Sequence, residues 1–423
     1  MDLSIVADMA ANLRDFTQQF HPYFSRREPR ETFDGILLAM LLAPERKNGW
    51  ELAQFAGKET PHSTHRFFTS TPWQADEVLR QYQRSMLERL GERGALVFDE
   101  TGFLKKGDAS VGVKRQYSGT AGRIENCQIG VFASYITAHA HILWDRRLFM
   151  PKDWIEDKLR RETAHVPDTL EHRSKPELAR EMFEHALNIG MVPAWVGGDT
   201  IYGDDSRLRD AVAEAGGDYV FAVSQETMIW TQWPATLTAQ ERHEQKKDGR
   251  GRKPLQGCLA ADAPERIKAV DLAKSWENST WQELSAGDGS KGERTYKWAW
   301  CEVIEAYRGH SDRKMPSRRS LLLVRQKGED PKTRAYYLCH SPTQELSPQA
   351  WVERAGTRWP VEQCFEEAKQ EFGLDEYEVR RWEGWHRHIT LSMLAHGFVA
   401  CERARVAAEM AKKKKPSKVG GSA

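Results

Sequence analysis

The sequence predicts an α/β fold preceded by a helical N-terminal region, and two observations carry that prediction. From residue 95 to residue 223, short apolar runs typical of buried strands alternate with segments of helical spacing. Before residue 90 the apolar residues recur at helical spacing instead. With 423 residues the chain exceeds one ordinary domain, so we expect several.

Residues 1–90 predict a helical domain. An apolar helix is expected at 33–42, a second around 50–55, and a last amphipathic one at 76–90. The turn at 60–64 carries capping residues, and a further helix opens at its end. A helix, a tight turn and a second helix with basic residues nearby suit a helix-turn-helix DNA reader, although a helical bundle without that role explains the pattern equally well.

The elements that follow divide into four further regions. Residues 91–225 predict the first part of an α/β core, with strands at 95–98, 128–136, 141–149, 193–196 and 219–223 and helices at 175–189 and 207–215. Residues 226–345 predict an inserted β-rich subdomain, with strands at 298–304, 320–324 and 334–339. Residues 346–400 are expected to be helical, with one helix at 351–372 that Pro360 must begin or kink. Residues 401–423 predict a flexible basic tail.

Composition excludes several classes of protein. Hydrophobic residues make up 40% and charged residues 29%, as in globular domains. No apolar run is long enough to span a membrane, and the N-terminus does not resemble a signal peptide, so we expect a cytoplasmic protein. The six cysteines form no Cys-x2-Cys pair, which argues against a zinc ribbon or a disulfide framework. A net charge of +1 does not indicate a globally basic DNA binder, but positive charge can be confined to one face.

Three acidic residues suggest a metal site. Asp99 and Asp199 each follow a predicted buried strand, and ligands gather at strand ends of α/β sheets. With Glu362 from a helix they form an all-oxygen set of the kind that Mg²⁺ and Mn²⁺ prefer. Two such ions can activate water and stabilise a leaving 3′ oxygen. Taken singly, an aspartate at a strand end is more often a cap or turn residue.

A predicted helix face places cations beside that glutamate. Arg358, Glu362 and Lys369 are spaced four and seven residues apart and therefore share a face. The two cations there can neutralise an approaching phosphodiester. The alternative is an ordinary helix face with ion pairs, since Glu366 and Glu367 are also present.

Three blocks of sequence resemble one family. They are FDETGFLKKGDASVGVKRQYSGTAGRIENCQIGVFASY (98–135), GGDTIYGDD (197–205) and TRWPVEQCFEEAKQEFGLDEYEVRRWEGWHRHITLSMLAH (357–396). In order and spacing they resemble the IS701 family of DDE transposases, within the IS4-like group. Arg358, Glu362 and Lys369 fit the group's Tyr-x2-Arg-x3-Glu-x6-Lys pattern, but Ala355 occupies the tyrosine position. The resemblance spans roughly residues 20–400.

The resemblance implies a fold, a reaction and partners. It implies an RNase H-like core with a β-rich insertion, in which Asp99, Asp199 and Glu362 bind two Mg²⁺ ions, with Mn²⁺ as a substitute. The implied reaction is cut-and-paste transposition, with cleavage at element ends and joining of the 3′-OH to target DNA. The implied partners are double-stranded terminal repeats and target DNA, bound by a dimer in a bacterial nucleoid. Alternatives are a catalytically silent or domesticated DNA-binding relative and an RNase H-fold nuclease without strand transfer.

Other residues are expected to contact DNA. The predicted backbone contacts, beyond Arg358 and Lys369, are Lys105, Lys106, Lys114, Arg115, Arg380, Arg381 and Arg387. A solvated charged hairpin explains the first four equally well. Among the tryptophans of the insertion, Trp298 and Trp230 are candidates to stack on a flipped base, against the more common alternative of core packing.

Overall fold

The computed structural model describes residues 3–42, 46–91, 93–244, 254–289, 292–307, 315–343 and 345–414. The helices are α1 Leu3–Gln18, α2 Arg27–Leu41, α3 Gly49–Phe55, α4 His62–Thr69, α5 Ala75–Leu90, α6 Lys152–Glu156, α7 Lys158–Ala164, α8 Lys175–Asn188, α9 Thr200–Gly203, α10 Ser206–Glu214, α11 Ala239–Glu244, α12 Ala269–Lys274, α13 Pro348–Gly356, α14 Arg358–Gln370 and α15 Trp382–Lys414. The strands are β1 Ala95–Leu104, β2 Lys114–Ser118, β3 Arg123–Ile136, β4 His141–Leu148, β5 Trp195–Gly198, β6 Tyr219–Val223, β7 Met228–Ile229, β8 Thr236–Leu237, β9 Cys258–Leu259, β10 Ile267–Lys268, β11 Gln282–Gly289, β12 Gly292–Tyr307, β13 Met315–Gln326 and β14 Ala335–His340.

The N-terminal helices pack through aromatic side chains. Phe24 contacts both Phe33 of α2 and Phe67 of α4, with ring centroids 5.0 and 5.6 Å apart. Phe16 of α1 packs on Phe398 of α15 at 5.4 Å. Because these rings are almost completely buried, they join the N-terminal helices to the C-terminal helix in a continuous apolar core.

One mixed sheet organises the rest of the described chain. Its strand order is β11-β12-β13-β14-β6-β5-β1-β3-β2, and β4 also pairs with β3, along residues 130–136. Strands β1, β5 and β6 are mutually parallel, and the other pairings in this sheet are antiparallel. The α/β class predicted from the alternation of strands and helices is therefore confirmed.

The strands expected in a separate insertion belong to this same sheet. Strand β14 pairs antiparallel with β6 along 336–340, and β13, β12 and β11 follow outward. Residues that pair directly across neighbouring strands point to the same face of the sheet. The registers connect β1 to β12 through such pairs, so these strands share one uninterrupted face. Sequence order alone did not show that the region returns to the edge of the core sheet.

Two predictions about the C-terminal helices are wrong. The helix expected at 351–372 is two helices separated at Thr357, and this break places Pro360 in the first turn of α14, where proline is tolerated. The flexible tail expected from residue 401 is helical as far as Lys414, because Cys401 and Glu402 are still buried against the N-terminal helices. Residues 415–423 lie outside the described chain.

The described helices include none that is both long and apolar enough to cross a membrane. All six cysteines are free thiols.

Candidate active site

Asp99 and Asp199 leave two neighbouring parallel strands at the same level. Strands β1 and β5 are in register up to the pair Phe98 and Gly198, and each aspartate is the next residue. Since paired strands lie about 4.8 Å apart, the two aspartates start side by side. The sequence suggested that the strand ends before Asp99. In the structure β1 continues through Asp99 to Leu104 in its pairing with β3. What ends there is the parallel pairing with β5.

Local hydrogen bonds orient both carboxylates. Asp199 is the N-cap of the short helix α9, and its Oδ1 accepts from the backbone N–H of Ile201 at 2.9 Å. Asp99 Oδ1 accepts from the backbone N–H of Glu100 at 2.8 Å. The prediction of a capping role for an aspartate in this position therefore holds for Asp199, and the same side chain also lines the cleft described below.

Tyr202 and Glu100 form a hydrogen-bonded pair next to the two aspartates. The sequence patterns had given no role to Tyr202 or Glu100. The buried Tyr202 hydroxyl donates to Glu100 Oε2 at 2.6 Å, and Lys175 Nζ donates to Glu100 Oε1 at 2.8 Å. Burial above all, and then the negative charges of Glu100, Asp99 and Asp199, hold the pKa of Tyr202 well above its ordinary value. The turn that carries Asp199 is thereby tied to the strand that carries Asp99.

Glu362 reaches the same place from the opposite wall. A cleft of about 560 Å³ is lined by Asp99 and Asp199 on the sheet and by Glu362 on α14. Glu362 itself is exposed, whereas both aspartates are half-buried. The structure therefore brings together the three acids that the sequence singled out.

A close contact between α13 and β11 sets where α14 begins. A Cβ added at Gly356 would lie 2.3 Å from the carbonyl oxygen of Ala286, so only glycine allows this approach. Arg294 lies across the same junction and donates to the carbonyl oxygens of Ala286 and Gly356 at 2.6 and 3.1 Å. Because α14 starts two residues later, this junction fixes the height of Glu362 above the sheet.

We expect Gly356→Ala to destabilise the fold by about 1–3 kcal/mol, since the methyl group collides with backbone that cannot move cheaply. Thermal unfolding of the purified protein measures this. Gly119→Ala is the matched control, because a Cβ there meets nothing within 4 Å. Equal unfolding temperatures for the two variants would contradict the close packing of α13 on β11.

The predicted DNA-contacting cations lie in different settings. Lys369 Nζ donates to Thr120 Oγ1 at 3.1 Å and to the carbonyl oxygen of Gly102 at 3.4 Å. Lys105 Nζ lies 3.6 Å from the centre of the Tyr377 ring, and burial lowers the pKa of this amine to about 8. Exposed side chains are found at Lys106, Lys114, Arg115, Arg380 and Arg381, and Lys114 forms an ion pair with Asp153 at 2.9 Å.

Three of the predicted contact residues are interior residues. Arg387 is 7% exposed and donates to the carbonyl oxygens of Phe68 and Trp73, so it joins α15 to the N-terminal helices and does not face solvent. Trp298 and Trp230 are at most 1% exposed, and both indole N–H groups donate to carbonyl oxygens. These tryptophans are core residues, in line with the alternative of core packing. The side chain of Arg358 lies outside the described part of the structure.

The acids have the right chemistry for a hard divalent cation. Carboxylate oxygens from Asp99, Asp199 and Glu362 are the ligands that Mg²⁺ and Mn²⁺ prefer. Within the described ranges, however, no group of three or more His, Cys, Asp or Glu side chains is already placed to hold a metal ion. The three carboxylates are the right kind of ligand for such a cation. Their side chains would have to move closer together to bind it.

Comparison with known proteins identifies the family. A family model described as DDE superfamily endonuclease matches residues 19–290. The chain belongs to this family. The match covers helices α2–α5, both aspartates and the start of the outer strands, whereas α1 precedes it and the helix of Glu362 follows it.

This member of the DDE superfamily is also similar to a curated transposase. A protein of Microchaete diplosiphon named "Probable transposase for insertion sequence element IS701" is 24% identical over 234 residues, or 52% of this chain. The aligned part spans 58% of that relative. The resemblance to IS701 transposases expected from the sequence blocks is confirmed. The structure of a piggyBac transposase synaptic complex with hairpin DNA gives a TM-score of 0.43 at 7% identity, covering 91% of this chain and 68% of that one.

Proposed function

We propose that this DDE endonuclease is the transposase of an insertion sequence, which cleaves the element ends and joins the freed 3′-OH to target DNA. The observation that carries the proposal is the convergence of Asp99, Asp199 and Glu362 on one cleft of the sheet. Cleavage and joining are both in-line phosphoryl transfers, so a single site serves both. The match to a DDE family and the IS701 relative support this assignment.

Each acid has a distinct position from which to bind metal. Asp99 and Asp199 supply oxygens from the sheet, and Glu362 supplies them from the helix opposite. Two Mg²⁺ ions bound by these residues would supply an activated water and stabilise the departing 3′ oxygen. The chain's own contribution is to hold the carboxylates through the Ile201 and Glu100 amides and to tie the Asp199 turn to β1 through the hydrogen bond from Tyr202 to Glu100.

The strand arrangement supports an RNase H-like core. The order β4-β3-β1-β5-β6, antiparallel on one side of β1 and parallel on the other, is the one expected of that core. We propose that α1–α5 form the DNA-binding region, with the short helices α3 and α4 as a helix-turn-helix candidate. Lys105, Lys106, Arg115, Arg380 and Arg381 are proposed to follow the DNA backbone. Two element ends must be held together, so we expect a dimer on DNA.

The test is cleavage of an element end. Purified full-length protein is incubated with a labelled duplex that carries the end of the flanking element, in Mg²⁺, Mn²⁺ or EDTA, and with a supercoiled target plasmid. We expect cleavage at the element end and joined products in either metal and neither in EDTA. Cleavage without joined products would favour a nuclease without strand transfer. Binding without cleavage in every condition would favour a regulatory relative and overturn the proposal.

Lys105 gives the proposed DNA binding a dependence on pH. Because burial lowers the pKa of its amine to about 8, Lys105 is charged at pH 7 and mostly neutral at pH 9. We expect DNA affinity to fall across this interval as one phosphate contact is lost. The affinity of Lys105→Arg should fall less, since a guanidinium stays charged. Fluorescence anisotropy at fixed ionic strength measures both, and parallel pH profiles would exclude a DNA contact at Lys105.

A further inference from the structure

The cleft that holds the three acids extends onto the outer strands of the sheet. In-step registers place Asp99, Asp199 and Ala222 on the same sheet face as Arg325 of β13, and all four line the cleft. Tyr296 of β12 lines it as well. One surface thus joins an acidic end, at β1 and β5, to an end that carries cations, at β12 and β13.

Three of the four arginines that line the cleft are used by the protein itself. Arg294 holds the junction of β11 and α13 through two carbonyl oxygens. Arg334 donates to Gln326 Oε1 at 2.8 Å and to the carbonyl oxygen of Ala273 at 3.0 Å. Arg354 pairs with Asp218 at 2.7 Å. Each of these three has a structural explanation.

Arg325 is the exception. Within the described part of the chain no carboxylate pairs with it, and its buried Nε has no hydrogen-bond partner. Its guanidinium carbon lies 4.8 Å from the centre of the Tyr296 ring, which supports the side chain from one side. An unpaired buried donor is costly, and that cost would be removed if the side chain turned its Nε toward an acceptor in the cleft. A phosphate is the acceptor whose shape suits the guanidinium fork.

We propose that Arg325, supported by Tyr296, binds a phosphate of the DNA strand that flanks the position to be cut. This rests on the proposed function, because it presumes DNA in the acidic cleft. Strand β13 is three strand spacings from β5, or about 14 Å. Since each nucleotide of a strand takes up about 3.4 Å of the duplex axis, this corresponds to roughly four nucleotides from the acids, or fewer once the arginine side chain extends. Arg325 is therefore a positioning residue that fixes the register of the strand.

The binding test replaces single phosphates in the DNA. Neutral methylphosphonates are introduced one at a time within six nucleotides of the cleavage position, in an element-end duplex. Affinity is measured for Asp199→Asn protein, which keeps the DNA intact, with and without Arg325→Gln. We expect one or two adjacent positions at which the substitution weakens binding by about 10- to 100-fold when Arg325 is present and has no effect in Arg325→Gln. Such a position-specific coupling does not arise from a general loss of folding.

Further variants separate a phosphate contact from a structural role. Arg325→Lys should restore part of the affinity at the same position, because it keeps the charge but loses the fork. Arg319→Gln, an exposed arginine of the same strand outside the cleft lining, should show no coupling at any position. Methylphosphonate effects that are equal at every position with and without the Arg325→Gln substitution would overturn the proposal. Failure of the wild-type protein to cleave in Mg²⁺ would instead count against the proposed function, since the coupling is measured without cleavage.

Discussion

Asp199→Asn is expected to lower the rate of DNA cleavage in Mg²⁺ by about a thousandfold while leaving DNA affinity nearly unchanged. Asparagine keeps the hydrogen bond to the Ile201 amide, because it caps helices as well as aspartate does. Only the negative charge facing the cleft is lost. Single-turnover cleavage and anisotropy binding, performed on the same preparation, separate the two effects.

Asp205 provides a matched control within the same turn. It caps α10 by accepting from the Arg207 and Leu208 amides, much as Asp199 caps α9, but it does not line the cleft. We expect Asp205→Asn to cleave at nearly the wild-type rate. If both variants lost cleavage equally, the effect at Asp199 would be a matter of local folding, and its assignment as a metal ligand would be wrong.

The second large effect, on the free energy of unfolding, is expected at a buried carboxylate that joins the outer strands to the core. Glu305 of β12 is 3% exposed and pairs with Arg209 of α10 at 2.7 Å. It also accepts hydrogen bonds from Tyr219 of β6 and, at 2.6 Å, from Ser320 of β13. Glu305→Ala leaves the buried Arg209 guanidinium without its counter-charge, so we expect a loss of about 3–5 kcal/mol in the free energy of unfolding. Denaturant unfolding measures this loss.

Two comparisons test that explanation. Glu302, on the same strand, pairs with Arg319 at the surface, and Glu302→Ala should cost no more than about 1 kcal/mol. The double variant Arg209→Met with Glu305→Leu removes both charges and should recover most of the lost stability. If the double variant were no more stable than Glu305→Ala, the uncompensated charge would not be the cause. Separate unfolding of the outer strands in either variant would contradict their membership of a single sheet.

Local patterns allowed much of the fold to be predicted. The apolar run at 219–223 is strand β6 with the same limits, and the helix expected at 175–189 is α8 to within one residue. Both follow from side-chain periodicity and from caps such as Ser174, whose hydroxyl accepts from the Glu177 amide while Glu177 bonds back. Strand β2 was not among the predicted strands, because its exposed charged residues carry no strand alternation, although the alternative of a charged hairpin included Lys114 and Arg115. Pro360 indicated that the helix expected at 351–372 must begin or kink near it, but the sequence did not show that a separate helix ends at Gly356.

The sequence by itself was enough to predict the family and to single out Asp99, Asp199 and Glu362, because each acid sits in a block of neighbours that is recognisable without coordinates. The tertiary structure decided which charged and aromatic side chains line the cleft and which are buried in the core. Arg387 and Trp298 were candidates when the sequence was read alone and Arg325 was not, yet the first two are satisfied inside the core and the third lines the cleft. That difference depends on which carbonyl groups distant segments bring within hydrogen-bonding distance. Pairing across the sheet fixes those distances, and no local pattern in the sequence records them.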